Sequence, residues 1–295
     1  MIRYSSEEIN VIRKKSLKYV MSIDVINTID SIVQKVGSPS YIKTPSFKKK
    51  KKSFEKIVER PPVERTITEE VRGILNKFSG EKTYETLKGQ LTKHIDAICE
   101  DESSSVSLAD IMKEIFDAAS IYNSNLYSKL CDDICNDHDI CKTYIQNLFR
   151  DSKILYTNIQ HANAETNYDA FCKLNAINEK LKKRSRFYTQ LLQYNLLNMD
   201  DIMSVIRNLQ TMLLEKGKLD TPDNNPCIEY SENIFIFMSE CIEQLEKCDE
   251  FQTIINDIDE VKKMDRKVNK NITSKITFKQ MDVLDLINKR KRDNE

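Results

Sequence analysis

Val71-Arg72-Gly73-Ile74-Leu75-Asn76-Lys77-Phe78-Ser79 opens a long stretch that decides the fold. Val71, Ile74, Leu75 and Phe78 fall at i, i+3, i+4 and i+7, one apolar stripe on a helix and no pattern for a strand. Thr68, three residues before Val71, is the expected N-cap, and Gly80 the expected stop. Periodicity by itself predicts a helix that packs on another helix.

The same kind of sequence continues to the C-terminus. The chain of 295 residues has five Gly and six Pro, with no Pro between Pro62 and Pro222. Few segments alternate as strands do, so the fold class is all-α. Helices are expected at about 69–79, 82–99, 107–122, 124–139, 141–160, 167–181, 183–197, 200–217, 230–248, 251–268 and 277–290. Their lengths and short polar connections fit a HEAT-type α-solenoid of about five antiparallel helix pairs.

The segment before residue 67 differs in charge and punctuation. Residues 1–66 carry 15 Lys/Arg against 7 Asp/Glu, whereas the remaining 229 carry 31 against 39. A largely disordered basic arm on an acidic solenoid is therefore expected, with short binding helices in the arm. Three parts follow: a binding segment over 1–36, a basic linker over 37–66 and the solenoid over 67–295. In the first part a helix over 19–36 would carry Ile26, Ile29, Ile32, Val33 and Val36 as a stripe. It would either pack back onto the solenoid or serve a partner. In the linker, Lys48, Lys49, Lys50, Lys51 and Lys52 lie between Phe47 and Phe54. They offer charge for mRNA phosphates and rings for base stacking; a solvated linker or a nuclear-localisation-like patch explains them as well.

Acidic Glu7 and Glu8 sit where a signal peptide would begin its apolar core, and no apolar run approaches the ~20 residues needed to span a bilayer. Eight cysteines without such a signal imply reduced thiols and a cytoplasmic protein.

The run from Val71 to Ser79 resembles the opening helix of the middle domain of the eukaryotic initiation factor 4 gamma family, where Val-Arg-x-Ile-Leu-Asn-Lys-Leu-Thr is usual. Ile115-Phe116-Asp117-Ala118-Ala119 with Asn125-Leu126-Tyr127-Ser128 resembles that family's third helix, turn and fourth helix. Leu213-Leu214, followed by Gly217-Lys218-Leu219-Asp220, resembles another of its segments, and Gly217 is read as a left-handed helix cap. Ser274-Lys275-Ile276-Thr277-Phe278, then Asp282-Val283-Leu284-Asp285-Leu286, resembles the segment that ends the domain. There Phe278 and Leu284 are expected in the core and both carboxylates in solvent. Near the N-terminus, Tyr4 and Ile9 resemble the Tyr-x-x-x-x-Leu-hydrophobic motif that binds the cap-binding protein. Asn10 stands where an apolar residue is usual, and Ile12 is a substitute for it.

The resemblance implies a translation-initiation scaffold. Its solenoid would bind a DEAD-box initiation helicase, with Asn76, Lys77 and Phe78 at one contact and Lys275, Thr277, Asp282 and Asp285 at the other. Its arm would hold a cap-binding protein through Tyr4, Ile9, Asn10 and Ile12. The alternatives are another middle-domain adaptor, in mRNA decay, splicing or poly(A)-binding-protein interaction, and a helical scaffold unrelated to translation.

An enzyme is not expected. The sequence has no phosphate-binding glycine loop and no nucleophile elbow, and His94, His138 and His161 are scattered over predicted helices. Cys131, Cys135, His138 and Cys141 are close in sequence, but their spacing on helices is unusual for zinc. They read better as small buried hydrophobes, so no metal or cofactor is expected.

Overall fold

The computed structural model describes residues 22–36, 66–78, 80–100, 106–221 and 225–293, with Glu7 and Val11 as isolated positions and backbone alone at Val33, Lys35 and Val36. The chain divides into two units, Met1–Pro62 and Val63–Glu295.

In the first unit α1 spans Ile23–Val36. Ile23, Val25, Ile26, Ile29 and Ile32 on it are all exposed. Of the expected stripe, Ile26, Ile29 and Ile32 are therefore open to solvent. Tyr4, Ile9, Asn10, Ile12 and the lysines from Lys48 to Lys52 lie outside the described residues.

The second unit is all-helical: α2 (Ile67–Leu75), α3 (Glu81–Glu100), α4 (Leu108–Ala119), α5 (Ser124–Asp137), α6 (Ile140–Ser152), α7 (Ile154–Thr157), α8 (Tyr168–Gln193), α9 (Met199–Gly217), α10 (Cys227–Leu245), α11 (Phe251–Lys263) and α12 (Ser274–Asp293). They form two layers. In one, α2, α4, α6, α7, α9 and α11 pack in that order; in the other, α3, α5, α8, α10 and α12 do. Each helix meets its predecessor in its own layer, and contacts between the layers close the core, which is the all-α solenoid read from the sequence. The pairs are α2/α3, α4/α5, α6–α7/α8, α9/α10 and α11/α12.

Local chemistry explains where the helices start and stop, and corrects five expectations. The cap of α2 is Thr66, not Thr68. Its side chain accepts from the Glu69 amide (3.3 Å) while the Glu69 carboxylate accepts from the Thr66 amide (3.0 Å). This reciprocal box satisfies two otherwise orphaned donors, and Ser107 with Asp110 repeats it on α4. Gly80 does not stop α2, which ends at Leu75 with Asn76 still right-handed; Gly80 instead precedes α3.

The helices expected over 167–181 and 183–197 are the single helix α8. The Lys-Lys-Arg-Ser-Arg run at its centre holds no breaker, and Lys182 is anchored to Glu179 and, on α10, to Glu229 (3.4 Å). The stop comes later, at Asn195, the one described non-glycine residue with positive φ (57°). Its amide donates to Leu192 O (2.9 Å) and that of Leu196 to Leu191 O (2.9 Å), a Schellman closure made by asparagine instead of glycine. Conversely, the helix expected over 141–160 is cut at Lys153. Around it the bonds tighten to i→i−3, from Lys153 N to Arg150 O and from Tyr156 N to Lys153 O, and α7 lasts a single turn.

Gly217 is not a left-handed cap. It is the last residue of α9, and a Cβ there would lie 2.7 Å from Ile272 Cδ1. Close approach explains this glycine.

The core runs through all the pairs, and its largest buried side chains are aromatic. Two of the buried tyrosines pair their hydroxyls inside the core: Tyr156 with Ser185 (2.9 Å), and Tyr188 donating to Ser152 Oγ (2.6 Å). Ser185 in turn donates to Asn233 Oδ1 (2.7 Å), so a polar thread joins α7, α8 and α10 inside the core. Burial pushes the Tyr188 hydroxyl up to about 12. Among the described residues no helix is long and apolar enough to cross a membrane.

Candidate interaction surfaces

The two sets of residues expected to meet a helicase belong to the first and last pairs, with three pairs between them. Asn76 and Lys77 lie together on the turn after α2, both exposed. The turn is held from below. Phe78 is buried against Tyr84 (ring centroids 5.7 Å apart, edge to face) and Tyr127 (6.0 Å). Tyr127 Oη donates to Leu75 O (2.8 Å), which also accepts from the Phe78 amide (3.0 Å), so the hydroxyl adds a second bond to the turn that ends α2. Tyr84 Oη donates to Asp133 (2.7 Å), tying α3 to α5. Beside the turn, Arg72 makes a two-pronged bond to Glu114 on α4 (2.6 and 2.7 Å). Phe78 is thus corrected from contact residue to anchor: its ring is spent on the core, and Asn76 and Lys77 are what the turn shows.

The other surface is α12. Ile276, Gln280, Val283 and Ile287 are buried, at i, i+4, i+7 and i+11, with Leu284 half-buried at their flank. The opposite face shows Phe278, Met281, Asp282 and Asp285 together. Phe278 is 62% exposed, so the core role expected for it is wrong. The misreading has a cause in Gln280. A polar residue occupies a buried position, where its Nε2 donates to Ser231 Oγ (2.8 Å), and the stripe it interrupts can no longer be phased by hydrophobicity. Asp282 and Asp285 are in solvent as expected. Phe278 and Met281 are the surface residues that sequence reasoning missed.

The beginning of α12 is fixed by charge. Lys275 (3.1 Å) and Lys279 (3.5 Å) both reach Glu232 on α10, and Lys279 also stands over the Phe235 ring. Together the two lysines hold the Glu232 carboxyl below the usual glutamate value, outweighing burial, which alone would raise it. Lys275 remains largely exposed while making this bond. Thr277 is half-buried and turns inward, its hydroxyl donating to Thr273 O (3.3 Å). At the other end Arg290 bridges Glu243 (2.8 Å) and Glu246 (2.9 Å). The face of α12 is therefore a rigid strip: an aromatic ring, a thioether and two carboxylates on a helix clamped at both ends.

Cys131, Cys135 and Cys141 belong to the core between α5 and α6. Burial pushes the Cys135 thiol up to about 12 and that of Cys141 to about 11. His138 instead faces Asp96 (3.1 Å). Among the described residues no group of His, Cys, Asp and Glu is placed to hold a metal ion.

No protein-family model matches the chain, and a search of curated proteins finds no match.

Proposed function

We propose that this chain is a translation-initiation scaffold whose solenoid engages a DEAD-box RNA helicase at its two ends and whose arm tethers a cap-binding protein. The observation that carries the reading is the face of α12. Asp282 and Asp285, singled out by the resemblance of the closing segment, share it with Phe278 and Met281. An exposed aromatic and a thioether ringed by fixed charge are the usual materials of a protein-binding hot spot. Asn76 and Lys77 offer a second, smaller contact with three pairs in between, an arrangement suited to a partner made of two lobes. A scaffold that grips both lobes accelerates ATP turnover without chemistry of its own, by binding the productive arrangement more tightly than the others. Each tenfold preference shifts that equilibrium by about 1.4 kcal/mol. The arm, through Tyr4 and Ile9, would raise the helicase concentration near the capped end of mRNA.

The test is titration of the full chain into the cognate initiation helicase, reading affinity and ATPase rate. Wild type is expected to bind and stimulate. The double variant Phe278→Asp, Asp285→Lys is expected to bind at least tenfold more weakly with an unchanged urea midpoint. A folded wild-type chain that neither binds nor stimulates would reject the helicase. Tyr4→Ala with Ile9→Ala should lose the cap-binding protein and keep the helicase; retention of both would remove the arm from the proposal.

A further inference from the structure

A cleft of about 590 Å³ opens between the end of α4, the single turn α7 and the first half of α8. It exists because α7 is too short to fill its place in the layer, while α8 runs its full 26 residues past the gap. Ile154 and Ile177, each 59% exposed, face it together with the exposed Ile121 and Leu155. Singly exposed aliphatics are ordinary, but four that line one concavity are the composition of a binding cleft. Arg184 lines the same cleft. One of its terminal nitrogens donates to Asp117 (3.2 Å), whereas its Nε is shut off from water with no acceptor among the described residues. Being closed to solvent, that Nε is closed to a ligand as well, and what the cleft offers is the 19% of the Arg184 side chain that stays open.

We propose that this cleft is a docking site for a short linear peptide that lays aliphatic side chains on the isoleucines and brings a carboxylate to Arg184. Charge favours that occupant. The cations at the wall, Lys180 and Arg184, face only Asp117, and Lys183 beside them is engaged on Ile121 O (2.7 Å). A carboxylate would bridge exposed Lys180 and the part of the Arg184 side chain that stays open, 19% of it, where a guanidinium end offers paired donors. Nucleic acid is a poor fit, since the cleft offers few cations and no exposed ring for stacking. The volume suits a few side chains of a helix or extended segment, not a folded domain. This site is separate from the face of α12 and does not depend on the helicase reading.

The experiment pans a phage-displayed library of random dodecapeptides on the full chain, then measures the enriched peptide, fluorescein-labelled, by polarisation. Aliphatic residues at i and i+3 or i+4 with an Asp or Glu nearby are expected. Affinity should fall at least tenfold in Ile177→Glu and in Arg184→Lys, the latter keeping the charge but not the fork, and should hold in Phe278→Asp. If Ile177→Glu fails to give a wild-type circular dichroism spectrum, Ile154→Ser takes its place. The proposal is overturned by no enrichment, by enriched peptides without an acid, by affinity indifferent to both cleft variants, or by sedimentation showing that the cleft variants split a dimer, which would make a second copy the occupant.

Discussion

Phe78 and Phe278 each sit in a run that resembles the same family, at opposite ends of the same solenoid, yet Phe78 is 4% exposed and Phe278 62%. Around Phe78 the chain has left α2 and folds back, so its ring drops between Tyr84 and Tyr127 and closes the first pair. Phe278 lies on the outermost helix of its layer, which packs on α10 and α11 and leaves one face without a neighbour among the described residues. The difference teaches that in a stacked fold the end helices have a free side, and apolar content alone does not say which residues occupy it. An anchor inside the first pair steadies polar contacts above it; an aromatic outside the last pair is itself available as the contact.

The comparison breaks most cleanly on stability. Phe78→Ala should destabilise the chain by about 3 kcal/mol, as aromatic truncation in a packed core does, whereas Phe278→Ala should change stability by less than about 0.5 kcal/mol. Urea unfolding followed by circular dichroism measures both. A loss above about 2 kcal/mol at Phe278 would mean that its face is covered, and both the exposed strip and the function built on it would go.

How far the sequence reveals this follows from the same residues. The all-α class, the five pairs and the apolar faces of α2 and α4 are legible because their stripes are unbroken and breakers are few. Helix limits at Asn195 and Lys153 were not, because the left-handed stop is an asparagine and the cut at α7 has neither glycine nor proline. Phasing of α12 fails at Gln280, whose burial is offset by a hydrogen bond across to Ser231. The cleft at Arg184 is invisible from sequence altogether, since it arises from the unequal lengths of α7 and α8 and from which helices become neighbours.

A smaller effect sharpens the account of the first pair. Tyr127→Phe keeps the ring that packs on Phe78 and deletes the hydroxyl that Leu75 O receives. The cost should be about 1 kcal/mol, as for the loss of one buried hydrogen bond. Amide exchange at Lys77 and Phe78, whose N–H groups bond to Ile74 and Leu75 carbonyls, should quicken more than exchange along α5. Uniform quickening would show that the hydroxyl serves the whole domain and not the turn.

The smallest effect belongs to the last pair and depends on pH. Glu232 on α10 faces Lys275 and Lys279 of α12 and, more distantly, Lys182 of α8. Although burial opposes its charge, these cations win and its folded value lies below the ordinary one. A carboxyl depressed on folding contributes stability that is fully present above its unfolded value, about 4.3, and is lost as pH falls through the folded value. Wild type should therefore lose stability from about pH 5 downward, and Glu232→Gln should lose part of that dependence. Near pH 7 the same substitution should cost about 1 kcal/mol or less, because Lys275 is largely exposed and solvent screens its share. Asp110 and Asp259 are depressed as well, by Ser107 and by Lys262 with Lys263, so the acid slope will shrink and not vanish. Because the two lysines pin the start of α12, the helicase binding proposed for this chain should weaken only a fewfold in Glu232→Gln. A variant with wild-type acid sensitivity would show that Glu232 does not carry the clamp, and the rigidity of the Phe278 strip would need another source.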